Sequence, residues 1–132
     1  MEKTLVFIKP DGVEKGLIGD ILSRFEKRGL TFSQLKMMSL TEELVHKHYE
    51  EHVERPFFPG LKEYVMSGPV VVAVVEGPSA VTVVRAMCGA TNPAESAPGT
   101  IRGDFGLTLD ANVIHSSDSP ESAAREIGNF FG

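Results

Sequence analysis

Two short runs of uninterrupted apolar residues constrain the fold of this chain more than any other feature. "TLVFIK" (Thr4–Lys9) contains four consecutive apolar residues, and "VVVAVV" (Val70–Val75) is apolar throughout. Such runs are typical of strands that are buried on both faces, because a half-exposed strand alternates apolar with polar residues. We therefore predict a sheet at the centre of the molecule, with "VVVAVV" as its clearest buried strand.

Helical patterns occupy the segments between the strands. After the first strand, apolar residues recur at helical spacing at Ile18, Ile21, Leu22 and Phe25. The next helix is expected to begin at its cap, Thr41, and to end near Arg55, which precedes a proline. Ser119 caps the last helix, and Pro120 suits its first position.

The remaining strand candidates are Leu30–Met38 and "NVIH" (Asn112–His115). A Gly- and Pro-rich segment, Gly89–Ala111, precedes the last strand, and such long loops are usually functional or disordered. The order of elements is β-α-β-α-β-α-β-α, which favours a parallel α/β sheet. An antiparallel α+β sandwich is the alternative, and the local patterns do not separate the two.

Length and composition indicate one compact domain, residues 1–132, without repeats or linkers. No apolar run approaches the roughly 20 residues of a membrane span, and the amino-terminal segment leaves no room for a signal peptide. The single cysteine, Cys88, excludes an internal disulfide. We therefore expect a cytoplasmic protein. The net charge of −5 argues against nucleic acid as a partner.

The strongest candidate for chemistry is His115, at the end of the last strand. Histidine is readily used as a nucleophile or acid–base group near neutral pH, and strand ends are common positions for sites. Glu126, on the flank of the last helix, is placed to orient the ring. The alternative is a structural histidine, with Glu126 on a solvated helix face.

Cationic and aromatic residues suggest binding of a phosphate and a base. Lys9 ends the first strand, Arg85 lies on the flank of a helix stripe, and Arg102 lies in the long Gly-rich loop. Such residues bind phosphates, although each one singly also fits a surface charge. Phe57 and Phe58 lie in a proline-bounded turn. If one of them is exposed, its face can stack on a base; the alternative is that both belong to the core.

Other known signatures are absent from the sequence. His48 and His52 have the i, i+4 spacing of metal ligands, but no third ligand lies at a recognisable spacing, so we expect no protein-bound metal. There is no P-loop, no G-x-G-x-x-G and no protein-kinase motif set. Any phosphate chemistry must therefore use different machinery.

Five ordered stretches, which extend over nearly the whole chain, match one known family. They are "TLVFIKPDGV", "HYEEHVERPFFPGL", "SGPVV", "GATNPAESAPGTIRGDFG" and "NVIHSSDSPESAAREI". On these residues the sequence resembles the nucleoside diphosphate kinases. The resemblance implies that the γ-phosphate of a nucleoside triphosphate, typically ATP, passes to a nucleoside diphosphate by a ping-pong mechanism, with Mg²⁺ bound to the nucleotide.

The resemblance also implies a role for each matching residue. His115 would be the nucleophile, by family precedent through Nδ1, with Glu126 orienting its ring and Ser117 in support. The residues expected around the phosphates are Lys9, Tyr49, Arg85, Thr91 and Arg102, and Lys9 would also reach the sugar.

The expected contacts with the nucleoside follow in the same way. Asn112 would bind the ribose hydroxyls. Phe57 would stack on the base, with Leu61 beside it. A base that is bound by stacking explains broad tolerance of different nucleotides.

The family fold is a ferredoxin-like α+β sandwich, in which helices cover a four-stranded antiparallel sheet. The family assembles as homo-oligomers, hexamers or in some bacteria tetramers, and the long loop before the last strand contributes contacts. We expect a hexamer here. The sequence ends at Phe131-Gly132, without the longer carboxy-terminal tail of some members.

Two positions depart from the family pattern. Ser116 replaces the usual glycine after the nucleophile; a positive φ at this position would cost about 1–2 kcal/mol. In "LTLDAN", Asp110-Ala111 replaces a Gly-Arg pair, which removes a charge and places Asp110 near the site entrance. Neither change replaces an expected ligand, so activity is expected. The competing hypotheses are a relative that binds nucleotides without turnover and a nucleic-acid-binding protein.

Overall fold

A four-stranded antiparallel sheet forms the centre of the computed structural model, which describes Met1–Gly132. Its strands are β1 (Glu2–Ile8), β2 (Thr31–Met38), β3 (Val70–Gly77) and β4 (Ile114–Ser116). They lie in the order β2-β3-β1-β4, and every neighbouring pair is antiparallel. The ferredoxin-like α+β expectation is thereby confirmed, and the parallel sheet that the local patterns favoured is wrong.

The interleaving of two β-α-β units explains why the local patterns were misleading. Because β1 and β2 are both antiparallel to β3, they run in the same direction, as the helical crossover between them requires. In the same way, β3 and β4 are both antiparallel to β1, which lies between them, so β3 and β4 run in the same direction. Each crossover therefore joins parallel strands, but a strand of the other unit lies between them.

Seven helices and two short 3₁₀ turns complete the fold. The helices are α1 (Pro10–Glu14), α2 (Ile18–Lys27), α3 (Glu42–His48), α4 (Phe58–Val65), α5 (Ala80–Cys88), α6 (Ile101–Phe105) and α7 (Pro120–Phe131). The 3₁₀ turns are Glu50–His52 and Pro93–Glu95. The long segment Gly89–Ala111 thus contains a turn and a short helix. No helix in this structure has the length and apolar character that a membrane crossing requires.

Local signals set most helix ends. The Thr41 hydroxyl accepts a hydrogen bond from Leu44 N at 3.2 Å, and the Ser119 hydroxyl accepts one from Ser122 N at 3.0 Å. The expectation that the second helix reaches Arg55 is wrong. Helix α3 ends at His48, because Tyr49 has non-helical angles of φ −103° and ψ 29°. This early end turns the chain toward the carboxyl end of β1.

The sheet separates two apolar cores, which accounts for the unbroken apolar runs. Val6 and Ile8 of β1 pack in one core with α2, α5 and α6, whereas Leu5 and Phe7 pack in the other with α3, α4 and α7. Successive side chains of a strand point to opposite faces, so a strand with a core on each side must be apolar throughout. The second core reaches the site, because Phe7 lies opposite His115 in the β1–β4 pairing.

Phe25 tests the first core. Its side chain is fully buried, so Phe25→Ala is expected to lower the free energy of unfolding by about 3–5 kcal/mol. The matched control is Phe57→Ala, at a side chain that is 55% exposed, with an expected change below about 1 kcal/mol. Urea denaturation of both variants measures the difference; equal losses would contradict this assignment of the core.

Candidate active site

Two adjoining cavities lie where β1 and β4 meet α3, α4 and α7. The polar cavity has a volume of about 340 Å³, and its lining includes Lys9, Tyr49, Arg85, Thr91, Arg102, His115 and Glu126. The apolar cavity has a volume of about 700 Å³ and is lined by Lys9, Phe57, Gly60, Leu61, Tyr64, Thr91, Leu109 and Asp110. Lys9 and Thr91 line both cavities. Volumes of this size are typical of small-molecule sites.

The ring of His115 is held by a buried carboxylate. His115 Nε2 lies 2.7 Å from Glu126 Oε1, and the Ser117 hydroxyl donates to the same oxygen at 2.8 Å. Ser117 is itself fixed to β1, because its hydroxyl accepts from Leu5 N at 3.4 Å and its amide donates to Leu5 O at 3.0 Å. The sequence-predicted arrangement of His115, Glu126 and Ser117 is thus present in the structure.

Aromatic contacts fix the plane of the same ring. Phe7 stacks on His115 with ring centroids 5.0 Å apart, and His48 packs edge-on at 4.6 Å. Burial lowers the pKa of His115, and the hydrogen bond to Glu126 opposes this shift. A neutral ring that donates its Nε2 proton to Glu126 has a free electron pair on Nδ1. The geometry therefore holds the ring in a defined tautomer and leaves Nδ1 free to act as an acceptor or a nucleophile.

A strained turn precedes His115. Val113 has φ +73°, and Ile114 N donates to Asn112 O at 2.8 Å, which closes a γ-turn. A positive φ at a β-branched residue is a genuine outlier. Such strain persists only where the surrounding structure imposes it.

The contacts that impose this turn come from the segment after β1. Lys9 N donates to Val113 O at 2.8 Å, and Val113 N donates to Asp11 Oδ2 at 3.1 Å. The other oxygen of Asp11 accepts the hydroxyl of Tyr64. A Cβ at Gly12 would lie 2.7 Å from the Ile8 side chain, so glycine allows this close approach. Sequence reasoning assigned no role to Asp11 or Tyr64. Asp11 lies within the matched stretch "TLVFIKPDGV", and Tyr64 follows the matched stretch "HYEEHVERPFFPGL".

Asn112 joins Lys9 and Thr91, the two residues that line both cavities. Lys9 Nζ donates to Asn112 Oδ1 at 2.7 Å, and Asn112 Nδ2 donates to Thr91 O at 2.9 Å. Burial lowers the pKa of Lys9 to about 8, and the charge of Arg102 adds to the shift while Asp11 opposes it. An anion in the cavity would restore the full charge of this ammonium group.

Arg102 is a buried cation without a carboxylate partner. Its guanidinium donates to Gly89 O and Ile114 O, both at 2.8 Å, and its Nε has no hydrogen-bond partner. The residue is only 8% exposed, and burial lowers its pKa. A buried charge is costly unless it is paired, so the arrangement suits a bound anion. The exposed Arg85 adds a second guanidinium from α5.

His48, the last residue of α3, and Tyr49, which follows it, both line the polar cavity. The buried hydroxyl of Tyr49 has no hydrogen-bond partner, and burial raises the pKa of the phenol, with the charge of Glu126 adding to the shift. It is therefore a neutral donor available to an anion. Burial lowers the pKa of His48 to about 2, with His115 and Arg125 as further causes. Sequence reasoning paired His48 with His52, whereas its candidate ligand atoms lie with those of His115 and Glu126, within 4.8 Å.

The two phenylalanines of the proline-bounded turn have different environments. Phe57 is 55% exposed and lines the apolar cavity beside Leu61, whereas Phe58 is buried in the second core. The sequence hypothesis of one exposed ring is confirmed, and the alternative that both belong to the core is wrong. Phe57 therefore offers one free aromatic face.

The structure also locates the two departures. Ser116 pairs with Val6 within β4 and does not adopt a positive φ, so no backbone strain arises there. Asp110 lines the apolar cavity, as the sequence predicted.

Comparisons with known proteins agree on one family. The family model described as nucleoside diphosphate kinase matches residues 2–132. A nucleoside diphosphate kinase of Natronomonas pharaonis is 62% identical, with 98% of this chain and 86% of the relative covered. One of Thermus thermophilus is 56% identical, with 99% and 96% covered.

Solved structures show the same similarity. The structure of a halophilic nucleoside diphosphate kinase from Halobacterium salinarum, in complex with CDP, has a TM-score of 0.96 and 50% identity, covering 98% of this chain and 87% of that one. A nucleoside diphosphate kinase family protein from Babesia bovis also has a TM-score of 0.96, with 47% identity, covering 99% and 88%.

The buried, neutral His48 predicts acid sensitivity. Because its pKa is about 2 when folded and about 6.5 when unfolded, only the unfolded chain binds this proton between these values. Stability is thus complete above about pH 6.5 and falls below it, by up to about 1.4 kcal/mol per pH unit from this group. His48→Phe is expected to remove that contribution.

Urea denaturation between pH 7 and pH 4.5 measures the effect. His46→Phe is the matched control, at a side chain that is 44% exposed, and should keep the wild-type slope. A wild-type slope in His48→Phe would show that His48 does not contribute.

Proposed function

This chain belongs to the nucleoside diphosphate kinase family, and from that premise we propose that His115 is the residue that accepts and returns the phosphate. Enzymes of this family transfer the terminal phosphate of a nucleoside triphosphate to a nucleoside diphosphate by a ping-pong mechanism. The chain is therefore a phosphotransferase of nucleotide metabolism. The residue roles that follow are our assignment.

One observation supports the assignment above all others. His115 has one ring nitrogen tied to a buried carboxylate at 2.7 Å and the other without a partner in the chain, in a cavity that includes the unpaired cation Arg102. A structural histidine would have its polar atoms satisfied without such cations around it. A nucleophile for an anionic substrate requires both features.

The first half-reaction follows from this geometry. The Nδ1 electron pair of His115 attacks the γ-phosphorus and forms the N–P bond. The bond from the γ-phosphorus to the β–γ bridging oxygen breaks, and the nucleoside diphosphate leaves with the electrons of that broken bond. Nε2 keeps its proton and its hydrogen bond to Glu126. The carboxylate thus compensates the positive charge of the phosphorylated ring. In the second half-reaction a β-phosphate oxygen of the acceptor attacks, and the N–P bond breaks.

The proposed phosphate contacts come from five separate parts of the chain. Arg102 on α6 and Arg85 on α5 supply guanidinium groups, and Lys9 at the end of β1 supplies an ammonium group. Tyr49 and Thr91 supply neutral hydroxyl donors. Charge that develops on the transferred phosphoryl group is stabilised by such fixed donors, which need no reorganisation during the reaction.

The nucleoside is proposed to occupy the apolar cavity. Its base stacks on the exposed face of Phe57, with Leu61 as the neighbouring wall. Lys9, which lines both cavities, and Asn112, joined to it at 2.7 Å, are assigned to the ribose hydroxyls. Donor and acceptor nucleotides use the same site in turn, as ping-pong transfer requires.

Mg²⁺ is proposed to arrive with the nucleotide. Four cationic side chains line the polar cavity, and its most buried carboxylate, Glu126, is engaged by His115 and Ser117. This donor set suits phosphates better than a bare cation, which prefers free oxygen ligands. Mg²⁺ on the phosphates would neutralise part of their charge; the side chains named above would orient them.

We further propose that the domain, residues 1–132, assembles as a homo-oligomer in the cytoplasm, with a hexamer expected and a tetramer as the alternative. The support is strand β2, which lies at the edge of the sheet. Leu35 and Met37 of this strand are 51% and 57% exposed. An unpaired edge with exposed apolar side chains is a common contact between chains.

His115→Ala tests the nucleophile. With γ-labelled ATP and Mg²⁺ but no acceptor, the wild-type protein should acquire an acid-labile, base-stable label, which GDP or CDP then removes as labelled GTP or CTP. His115→Ala should acquire none while its affinity for ADP stays within a few-fold of wild type. His46→Ala, a surface histidine, is the control and should label normally. Appreciable label on His115→Ala would exclude the proposed role.

Phe57→Ala tests the stacking site. Loss of one stacking contact is expected to weaken the binding of ADP, GDP, CDP and UDP by similar amounts, about 1–3 kcal/mol each. Phe57→Tyr keeps the aromatic face and should bind all four like wild type. Isothermal titration measures the affinities. A loss confined to one base would show that contacts to base edges replace stacking.

A further inference from the structure

We propose that Asp110 makes this enzyme prefer guanine nucleotides, by accepting hydrogen bonds from the edge of the base. The inference rests on the proposed binding of the base at Phe57, because Asp110 lines the same 700 Å³ cavity. Stacking alone does not distinguish one base from another. A charged acceptor in the cavity can distinguish the bases, because they differ in the N–H donors along their edges.

A tight turn places Asp110 at this cavity. Thr108 and Ala111 form an antiparallel bridge, and Ala111 N donates to Thr108 O at 3.3 Å. Leu109 and Asp110 are therefore the two central residues of the turn, and both line the cavity. Asn112, which follows directly, is fixed to Lys9 at 2.7 Å. The turn is thus anchored at its carboxyl end to the proposed ribose site.

The carboxylate of Asp110 has no partner of its own. It forms no ion pair, because every ion pair within the chain involves a different acidic residue. Of the donors around the cavity, the Tyr64 hydroxyl is engaged by Asp11, whereas Lys9, which donates to Asn112, and Thr91 are assigned to the ribose and the phosphates. The side chains of Phe57, Leu61 and Leu109 offer no hydrogen-bond groups. Asp110 supplies the only free anionic acceptor on this wall.

The chemistry of a carboxylate favours one base. An ionised carboxylate accepts through two oxygens and donates nothing, so its best partner is a pair of adjacent N–H donors. Guanine presents such a pair at N1 and the 2-amino group. Adenine and cytosine present one amino group beside a ring-nitrogen lone pair, and uracil presents one N–H between two carbonyls; these lone pairs repel the second oxygen.

The decisive comparison is between GDP and IDP as acceptors. Their bases differ only in the 2-amino group, so their ratio isolates the second hydrogen bond. We expect the wild-type phosphoenzyme to react with GDP with a kcat/KM at least about 5-fold higher than with IDP, a modest factor because the side chain is exposed to water. Asp110→Ala should bring the ratio close to 1.

The experiment follows the loss of phosphate from purified, labelled enzyme with GDP, IDP, ADP, CDP and UDP in turn. Glu26→Gln is the matched control, since it removes an exposed acid on α2, and should keep the wild-type ratio. In Asp110→Ala, the values for CDP and UDP should change less than about 2-fold.

The outcomes separate this inference from the proposed function. A GDP/IDP ratio that Asp110→Ala leaves unchanged, or an equal change for all five acceptors, overturns the role of Asp110 while phosphotransfer itself stands. Failure of the wild-type protein to form the acid-labile, base-stable label would instead overturn the role of His115. Loss of the ratio only in Asp110→Ala supports the proposal.

Discussion

The pairing of β4 with β1 is the constraint on which the site depends. It places His115 opposite Phe7, joins Ser117 to Leu5, and brings the turn before His115 against the end of β1. β1 is one of the two central strands and has a core on each face, so its backbone is held from both sides. A side chain fixed to that strand needs little reorganisation to meet a ligand in the cavity.

The site concentrates polar groups whose requirements the chain meets only in part. Glu126 is satisfied by His115 and Ser117, whereas Arg102 has no counter-ion and Tyr49 has no partner. Val113 keeps a positive φ beside them. The unpaired Arg102, the unpartnered Tyr49 hydroxyl and the strained Val113 each cost stability in the free protein. A bound polyanion would pair with Arg102 and with Tyr49. The two apolar cores supply the stability that allows such a site to persist.

Much of the fold was predictable from short stretches. The positions of the first three strands, the caps at Thr41 and Ser119, and the amphipathic character of α2 follow from the neighbouring residues alone. The last strand was expected at Asn112–His115 but extends over Ile114–Ser116, because Asn112 and Val113 form the turn before it. The strand directions did not follow, because each β-α-β unit is locally correct for a parallel sheet. Only the insertion of β3 between β1 and β2, and of β1 between β3 and β4, makes all hydrogen-bonded pairs antiparallel. That choice is made between segments far apart in the chain.

The same division holds for the site. By itself the sequence determined which residue types are available, with His115 in the last strand and Glu126 on the next helix, and its resemblance to a family supplied their expected roles. Tertiary structure alone decided that Asp11 and Tyr64 brace the turn at Val113 and that His48 packs against His115. It also decided that Phe57 is the exposed ring and that Ser116 has ordinary strand angles. The reason is physical: spacing along the chain encodes helix faces and caps, whereas these contacts join residues dozens of positions apart and exist only after the sheet has formed.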